Sequence, residues 1–169
     1  METVYDANGI KGNTVTGRRS HYIVEDRVGY TNRMNFNTVF TANLGKHADL
    51  NAGASYQYQK NQYYKEVNDL LGGAFYMDVN QFAERDFRGN DNASQNDLNT
   101  PNRILRKGDR FGYNYDIDIK KAAAWVQTVF RFRKIDFFLA AEHSYTSFAR
   151  IGRARVGVFP DNSFGRAKN

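Results

Sequence analysis

A chain of 169 residues is one domain's worth of sequence, long enough to bury a core of its own. Its mean hydropathy is −0.70, and its apolar area is carried mainly by 13 Phe and 11 Tyr, with few Leu or Ile, which argues against a dense core and for rings spaced along strands. The absence of cysteine excludes disulfides and thiolate metal sites, and no apolar run approaches the roughly 20 residues of a membrane-spanning helix, which leaves a transmembrane β-barrel open.

The formal charge is +6 and the isoelectric point about 9.5. Most of the excess falls at Arg131, Arg133 and Lys134 and at Arg150, Arg153, Arg155, Arg166 and Lys168. No RNA-binding signature or zinc finger accompanies it, so nucleic acid is not an expected partner. Met1 to Lys11 lacks the apolar stretch of a signal peptide.

Met1 to Gly17 is polar and Gly-containing and reads as loop or weak strand; Arg18 to Thr31 holds one poorly periodic strand. From Asn32 the alternation sharpens. Met34, Phe36, Phe40, Ala42 and Leu44 share even positions against Asn35, Asn37, Thr41 and Asn43, with Val39 the one apolar residue on the polar side. A short turn at Gly45 to Ala48 leads to Leu50, Ala52, Ala54, Tyr56 and Tyr58, opposed by Asn51, Gly53, Ser55, Gln57 and Gln59. Residues 32–60 are therefore a hairpin, and each strand has about the 9–11 residues that a tilted strand needs to cross a bilayer.

Residues 61–112 break the rhythm and read as a long loop. Tyr64 to Leu71 and Asp78 to Arg85 are expected to form helical turns there, the first ended by Gly72 and Gly73. A second hairpin covers 113–148, turning at Arg133 and Lys134, and residues 149–169 form another loop. Its first strand sets Tyr113, Tyr115, Ile117 and Ile119 on odd positions and then Ala124, Val126, Phe130 and Phe132 on even ones, which predicts a β-bulge near Lys120 and Lys121. After the turn, Ile135, Phe137, Leu139, Ala141 and Tyr145 oppose Asp136, Glu142, Ser144 and Thr146.

Short connections thus alternate with long ones, the asymmetry of outer-membrane barrels. Phe130, Phe132 and Phe137 fall toward the short-turn end and Tyr56, Tyr58, His143 and Tyr145 toward the long-loop end, where two aromatic girdles would lie. The expected fold is all-β: an antiparallel up-and-down meander forming part of a large transmembrane β-barrel, with extracellular loops at 61–112 and 149–169.

The segments YYKEVNDLLGG (Tyr63 to Gly73), NQFAERDF (Asn80 to Phe87), QNDLNTPNR (Gln95 to Arg103), KGDRFGYNYDIDI (Lys107 to Ile119), AWVQ (Ala124 to Gln127) and FPDNSFG (Phe159 to Gly165) resemble TonB-dependent outer-membrane receptors of the type with an N-terminal carboxypeptidase-regulatory-like domain. The resemblance implies a plugged barrel in the outer membrane of a Gram-negative bacterium that imports a nutrient, such as a siderophore or a glycan, and no enzymatic activity. The chain resembles only an internal barrel segment. Its implied partners are outer-membrane lipid, the remaining strands and plug, and the TonB complex acting through an N-terminal region not represented here.

No catalytic constellation, phosphate loop or metal triad is visible, and no cofactor is expected: His21, His47 and His143 are far apart in sequence. Candidate substrate contacts are the long-loop rings Tyr63, Tyr64, Phe75, Tyr76 and Phe82; the competing expectation is that these rings pack the loop against itself. Arg150, Arg153 and Arg155 are candidate lipopolysaccharide contacts, with a solvated loop as the alternative; Gln57, Asp136 and Glu142 are expected to face a polar lumen. A different class of reading is a small soluble β-barrel binding an apolar ligand, in which Phe36, Phe40 and Tyr56 would point inward.

Overall fold

Long strands dominate the structure, a computed structural model that describes residues 1–168. The main sheet has five strands in the order β3-β4-β7-β8-β9: β3 (Val24–Asn43), β4 (Ala48–Asp69), β7 (Arg110–Arg131), β8 (Asp136–Gly152) and β9 (Gly165–Lys168). The protein is all-β and mostly antiparallel, and among the described residues the sheet does not close into a barrel. Two small sheets accompany it. One pairs β1 (Glu2–Val4) with β2 (Val15–Gly17), and the other pairs β5 (Tyr76–Met77) with β6 (Ile104–Leu105). The helices are α1 (Gln81–Asp86) and α2 (Asp91–Ser94), plus a 3-10 turn at Ala7–Gly9.

Two compact units divide the chain. The first comprises Met1–Tyr30, Asn61–Ile117 and Arg150–Ala167; the second is mainly Thr31–Lys60 and Asp118–Ala149.

The second unit is built on alternation alone. Its turns are tight: Leu44 N–H donates to the Ala48 carbonyl at 2.7 Å around Gly45, whose φ of +78° suits glycine, and Phe132 N–H donates to Ile135 O at 3.0 Å. Side chains pair across the polar face, as Thr41 donates to Asn51 at 3.0 Å and Arg33 to Gln59 at 2.9 Å. Phe36 and Leu139 remain about two-thirds exposed (65% and 64%), and the one buried residue of this unit among those described is Ala149. Among the described residues no buried cluster gathers the rings of this unit.

The first unit has a conventional core. One cluster joins Val67, Tyr76, Leu105 and Phe111; another joins Val4, Ala7 and Phe75. Most of its buried polar groups have partners: Asp78 accepts from Asn96 at 2.9 Å and from Gly112 N–H at 3.1 Å, while Arg19 Nε is buried without one.

The loop expected at 61–112 is shorter than its sequence suggests. Strand β4 continues to Asp69 and β7 begins at Arg110, so the connection spans 70–109. The helical turn expected at Tyr64 to Leu71 is therefore strand through Asp69. Val67, only 1% exposed, joins the core there, and burial of a β-branched residue outweighs the local polarity of YKEVND. The strand ends where Asp69 Oδ1 accepts from Leu71 N–H at 2.7 Å and Leu71 turns to φ +52°. The second helical expectation lies near α1, which starts later because the Asn80 side chain caps the N–H groups of Phe82 and Ala83. The hairpin expected at 113–148 extends from Arg110 to Gly152, and the loop expected at 149–169 is correspondingly shorter and contains β9. The polar start, expected as loop or weak strand, holds β1 and β2.

The bulge expected near Lys120 and Lys121 has no counterpart. Strand β7 is unbroken, and its pairing with β4 keeps one parity: Tyr63 meets Tyr115, Gln62 meets Asp116, and Gly53 lies against Trp125. From Gly53 to Tyr63 and from Tyr115 to Trp125 each strand advances by the same number of residues, so neither gains one between the two pairs. What changes near Lys120 is the chemistry of each face.

Candidate functional site

The first unit holds a cleft of about 430 Å³ beside α1. Its floor is aromatic and its wall carries an ion pair. Lys65 projects from β4 across β7, with its ammonium 5.6 Å from the Phe111 ring and 5.7 Å from Tyr113. The same ammonium is 3.0 Å from Glu25, which Arg27 also approaches at 2.8 Å. Burial pushes the Glu25 carboxyl up, but hydrogen bonds from Arg27 and Lys65 and their charges outweigh it and hold the group below its ordinary range. Phe82, at the start of α1, is 72% exposed at the cleft. The arrangement offers ring faces and a fixed pair of opposite charges, a combination suited to binding.

The five rings expected on the long loop separate into three environments. Tyr63 and Tyr64 lie on β4 instead, because the strand runs on past them. Tyr63 packs on Tyr115 with centroids 5.3 Å apart, and the Arg110 guanidinium covers Tyr64 at 3.7 Å. Phe75 and Tyr76 are on the loop but buried, at 2% and 8% exposure, in the two core clusters. Of the five, Tyr76 and Phe82 line the cleft, and only Phe82 offers a largely open ring.

The three arginines near the end are engaged within their own unit. Arg150 donates to the carbonyls of Asn162 and Ser163, each at 3.2 Å, with its guanidinium 5.1 Å from the Tyr115 ring. Arg153 donates to Asp116, which is 1% exposed, at 2.7 Å; that hydrogen bond and the carboxylate charge raise the Arg153 pKa further. Arg155 donates through Nε to Pro160 O at 3.3 Å.

Glu25, Lys65, Phe111 and Tyr113 are cleft residues that sequence reasoning did not bring together, although Tyr113 was read as one of an alternating ring set. The available signal was the odd-numbered series Tyr63, Lys65, Val67, which continues the alternation of β4 with its polarity reversed. Gly53 was another signal. A Cβ there would lie 2.6 Å from the Trp125 indole, so the glycine lets the ring rest on the strand. Among the described residues, no three His, Cys, Asp or Glu side chains gather as metal ligands; His21 pairs with Glu2 at 3.1 Å, and His47 stacks on Phe132 at 5.5 Å.

Comparison with protein-family models, with curated proteins and with solved structures yields no match for this chain.

Proposed function

We propose that this chain forms part of the wall of a TonB-dependent outer-membrane receptor: a transmembrane β-barrel that imports a nutrient past a plug and has no enzymatic role. The observation that carries the reading is the exposed apolar face of the second unit. On β3, Met34, Phe36 and Phe40 are exposed, as are Tyr56 on β4, Val126 on β7, and Phe137, Leu139 and Tyr145 on β8. These positions keep one parity along each strand. The opposite face carries Asn35, Asn37, Asn51, Ser55, Gln57, Gln127 and Glu142, with Val39, Phe138 and Phe148 as its exposed apolar exceptions. A water-soluble domain rarely exposes a continuous apolar area of this extent. A bilayer with a polar lumen behind the sheet accounts for both faces.

In this reading the second unit crosses the outer membrane, and the first unit, with its own core, stands in water at the extracellular side. Outer-membrane lipid, further barrel strands and the plug are then its direct partners, and the TonB complex acts through the plug. The cleft beside α1 is the place where this segment contacts a passing substrate, and Phe82 is its most accessible ring.

The test is the solvent requirement of the second unit. The chain is expressed, refolded and analysed by size exclusion with and without detergent. A barrel-wall segment needs detergent or vesicles to stay dispersed, whereas a monodisperse, cooperatively folding monomer in plain buffer refutes the proposal and favours the small soluble barrel with its rings turned inward.

A further inference from the structure

Resting on the membrane reading above, we infer that the short-turn end of the second unit is a binding site for an anionic phospholipid, taking the headgroup phosphate on its cations and the adjoining acyl chain on a ladder of rings. The ladder consists of His47, Phe132, Phe137 and Phe130. Centroids of successive rings are 5.5, 6.1 and 4.8 Å apart, and successive planes lie within 19°, 20° and 22° of each other. Beside it runs an open apolar groove of about 530 Å³ lined by His47, Phe132, Arg133, Lys134, Ile135 and Phe137. Ile135 is 66% exposed, so the groove has no protein cover among the described residues.

Charge selects the occupant. Arg131 is neutralised by its ion pair with Asp49, and the Arg131 backbone is pinned to His47, which accepts from Arg131 N–H at 2.8 Å and contacts Arg131 O through Nδ1 at 3.0 Å. Those bonds fix the ladder. Lys46, Arg133 and Lys134 have no acidic partner among the described residues. The nearby Asp136 belongs to the opposite parity of β8 from Phe137. An apolar groove lined by Arg133 and Lys134, with Lys46 next in the chain to its lining residue His47, fits a molecule with a hydrocarbon chain and a phosphate. A neutral lipid would leave the cations unused, and free phosphate would leave the groove empty. Cations near an anionic bilayer surface contribute additively to binding, so three together amount to a preference of at least about tenfold.

The experiment uses the full chain, refolded and mixed with vesicles of phosphatidylcholine alone or containing phosphatidylglycerol, with the bound fraction read by flotation. Wild type is expected to bind the anionic vesicles at least about tenfold more tightly, and millimolar inorganic phosphate should not displace it. The triple variant K46Q/R133Q/K134Q should lose that preference while still binding both vesicles. K11Q/R88Q/K107Q, an equal charge change in the first unit, should keep it. K46R/R133K/K134R, which preserves charge, should also keep it and guards against loss through misfolding of the turns. Equal binding of wild type to both vesicles, or equal losses in the two neutralising triples, would overturn the lipid site and leave the barrel-wall proposal standing. Binding to neither vesicle would remove both.

Discussion

The two units of this chain solve the problem of apolar side chains in opposite ways. In the first, Phe75, Leu105 and Val67 are withdrawn from water into clusters, and buried Asp78 and Asp116 are hydrogen-bonded. In the second, rings of the same kind stand open, mostly along one parity of each strand, with Phe138 and Phe148 exposed on the other. The same five-stranded sheet supplies strands to both units, so secondary structure does not explain the difference. What differs is the medium each stretch is built for. In β4 the odd positions are polar from Asn51 to Gln59, then carry Tyr63 and Val67; the strand continues while its faces exchange roles.

The largest effect expected on this contrast comes from deleting a ring that the first unit buries. Phe75→Ala should destabilise that unit by about 3–5 kcal/mol, since it removes a 2%-exposed ring packed with Val4 and Ala7. Phe82→Ala, at 72% exposure, should change stability by no more than about 0.5 kcal/mol. Limited proteolysis of the 70–109 connection reads both. Comparable losses in the two variants would mean that the rings do not divide into core and open members as described.

In the second unit the informative substitution adds a charge. Leu139→Arg should cost about 2–4 kcal/mol of vesicle insertion if that position faces the middle of a bilayer. An arginine on a water-facing strand would cost almost nothing. Measured partition between buffer and vesicles decides between them, and unchanged partition would break the comparison at its membrane side.

A third, smaller effect concerns the polar face of the same unit. Gly53→Ala places a methyl group against the Trp125 indole, where the nearest ring atoms would be 2.6 Å away. Either the indole moves or the strands separate, at a cost of about 1–3 kcal/mol. Trp125 is the sole tryptophan, so its fluorescence maximum reports the displacement directly. An unshifted spectrum with unchanged stability would show that the indole does not rest on the glycine.

Legibility in the sequence followed the same divide. The second unit could be read almost directly, because alternation such as Met34, Phe36, Phe40 or Leu50, Ala52, Ala54 needs no tertiary information to identify a strand and its faces. The first unit could not. Tyr64 to Leu71 carries Lys, Glu, Asn and Asp, which locally suit a helix or loop, and only the partners that bury Val67 make it strand. The parity change at Lys120 suggested an inserted residue, whereas the unbroken strand shows that the faces exchange partners with the register intact. Of the candidate rings, Phe82 remained available to a ligand because α1 holds it outward. The fates of Phe75 and Tyr76 depended on β5 and β6 pairing across the loop, a contact between Tyr76 and Leu105 that no local pattern announces.

The smallest effect is a pH dependence confined to the first unit. Burial pushes the Asp78 carboxyl above its ordinary range, and this outweighs the hydrogen bonds from Asn96 and Gly112 and the nearby Arg103 charge at 3.7 Å, which pull it down. A carboxyl whose folded-state pKa exceeds its unfolded value binds its proton more tightly in the fold. Its stabilising contribution is therefore fully present below the unfolded pKa and is lost as pH rises through the folded one. Glu25, held below its ordinary range, works in the opposite sense: its contribution is present above the unfolded pKa and is lost as pH falls through the folded value. The two groups bend the wild-type profile in opposite senses, so the comparison that isolates Asp78 is with Asp78→Asn, whose carbonyl can still accept from Asn96 and Gly112. That variant should lose the Asp78 share and show protease resistance that falls more steeply on acidification than in wild type. Parallel profiles for the two proteins would mean that Asp78 titrates alike in the folded and unfolded chain, despite its 2% exposure.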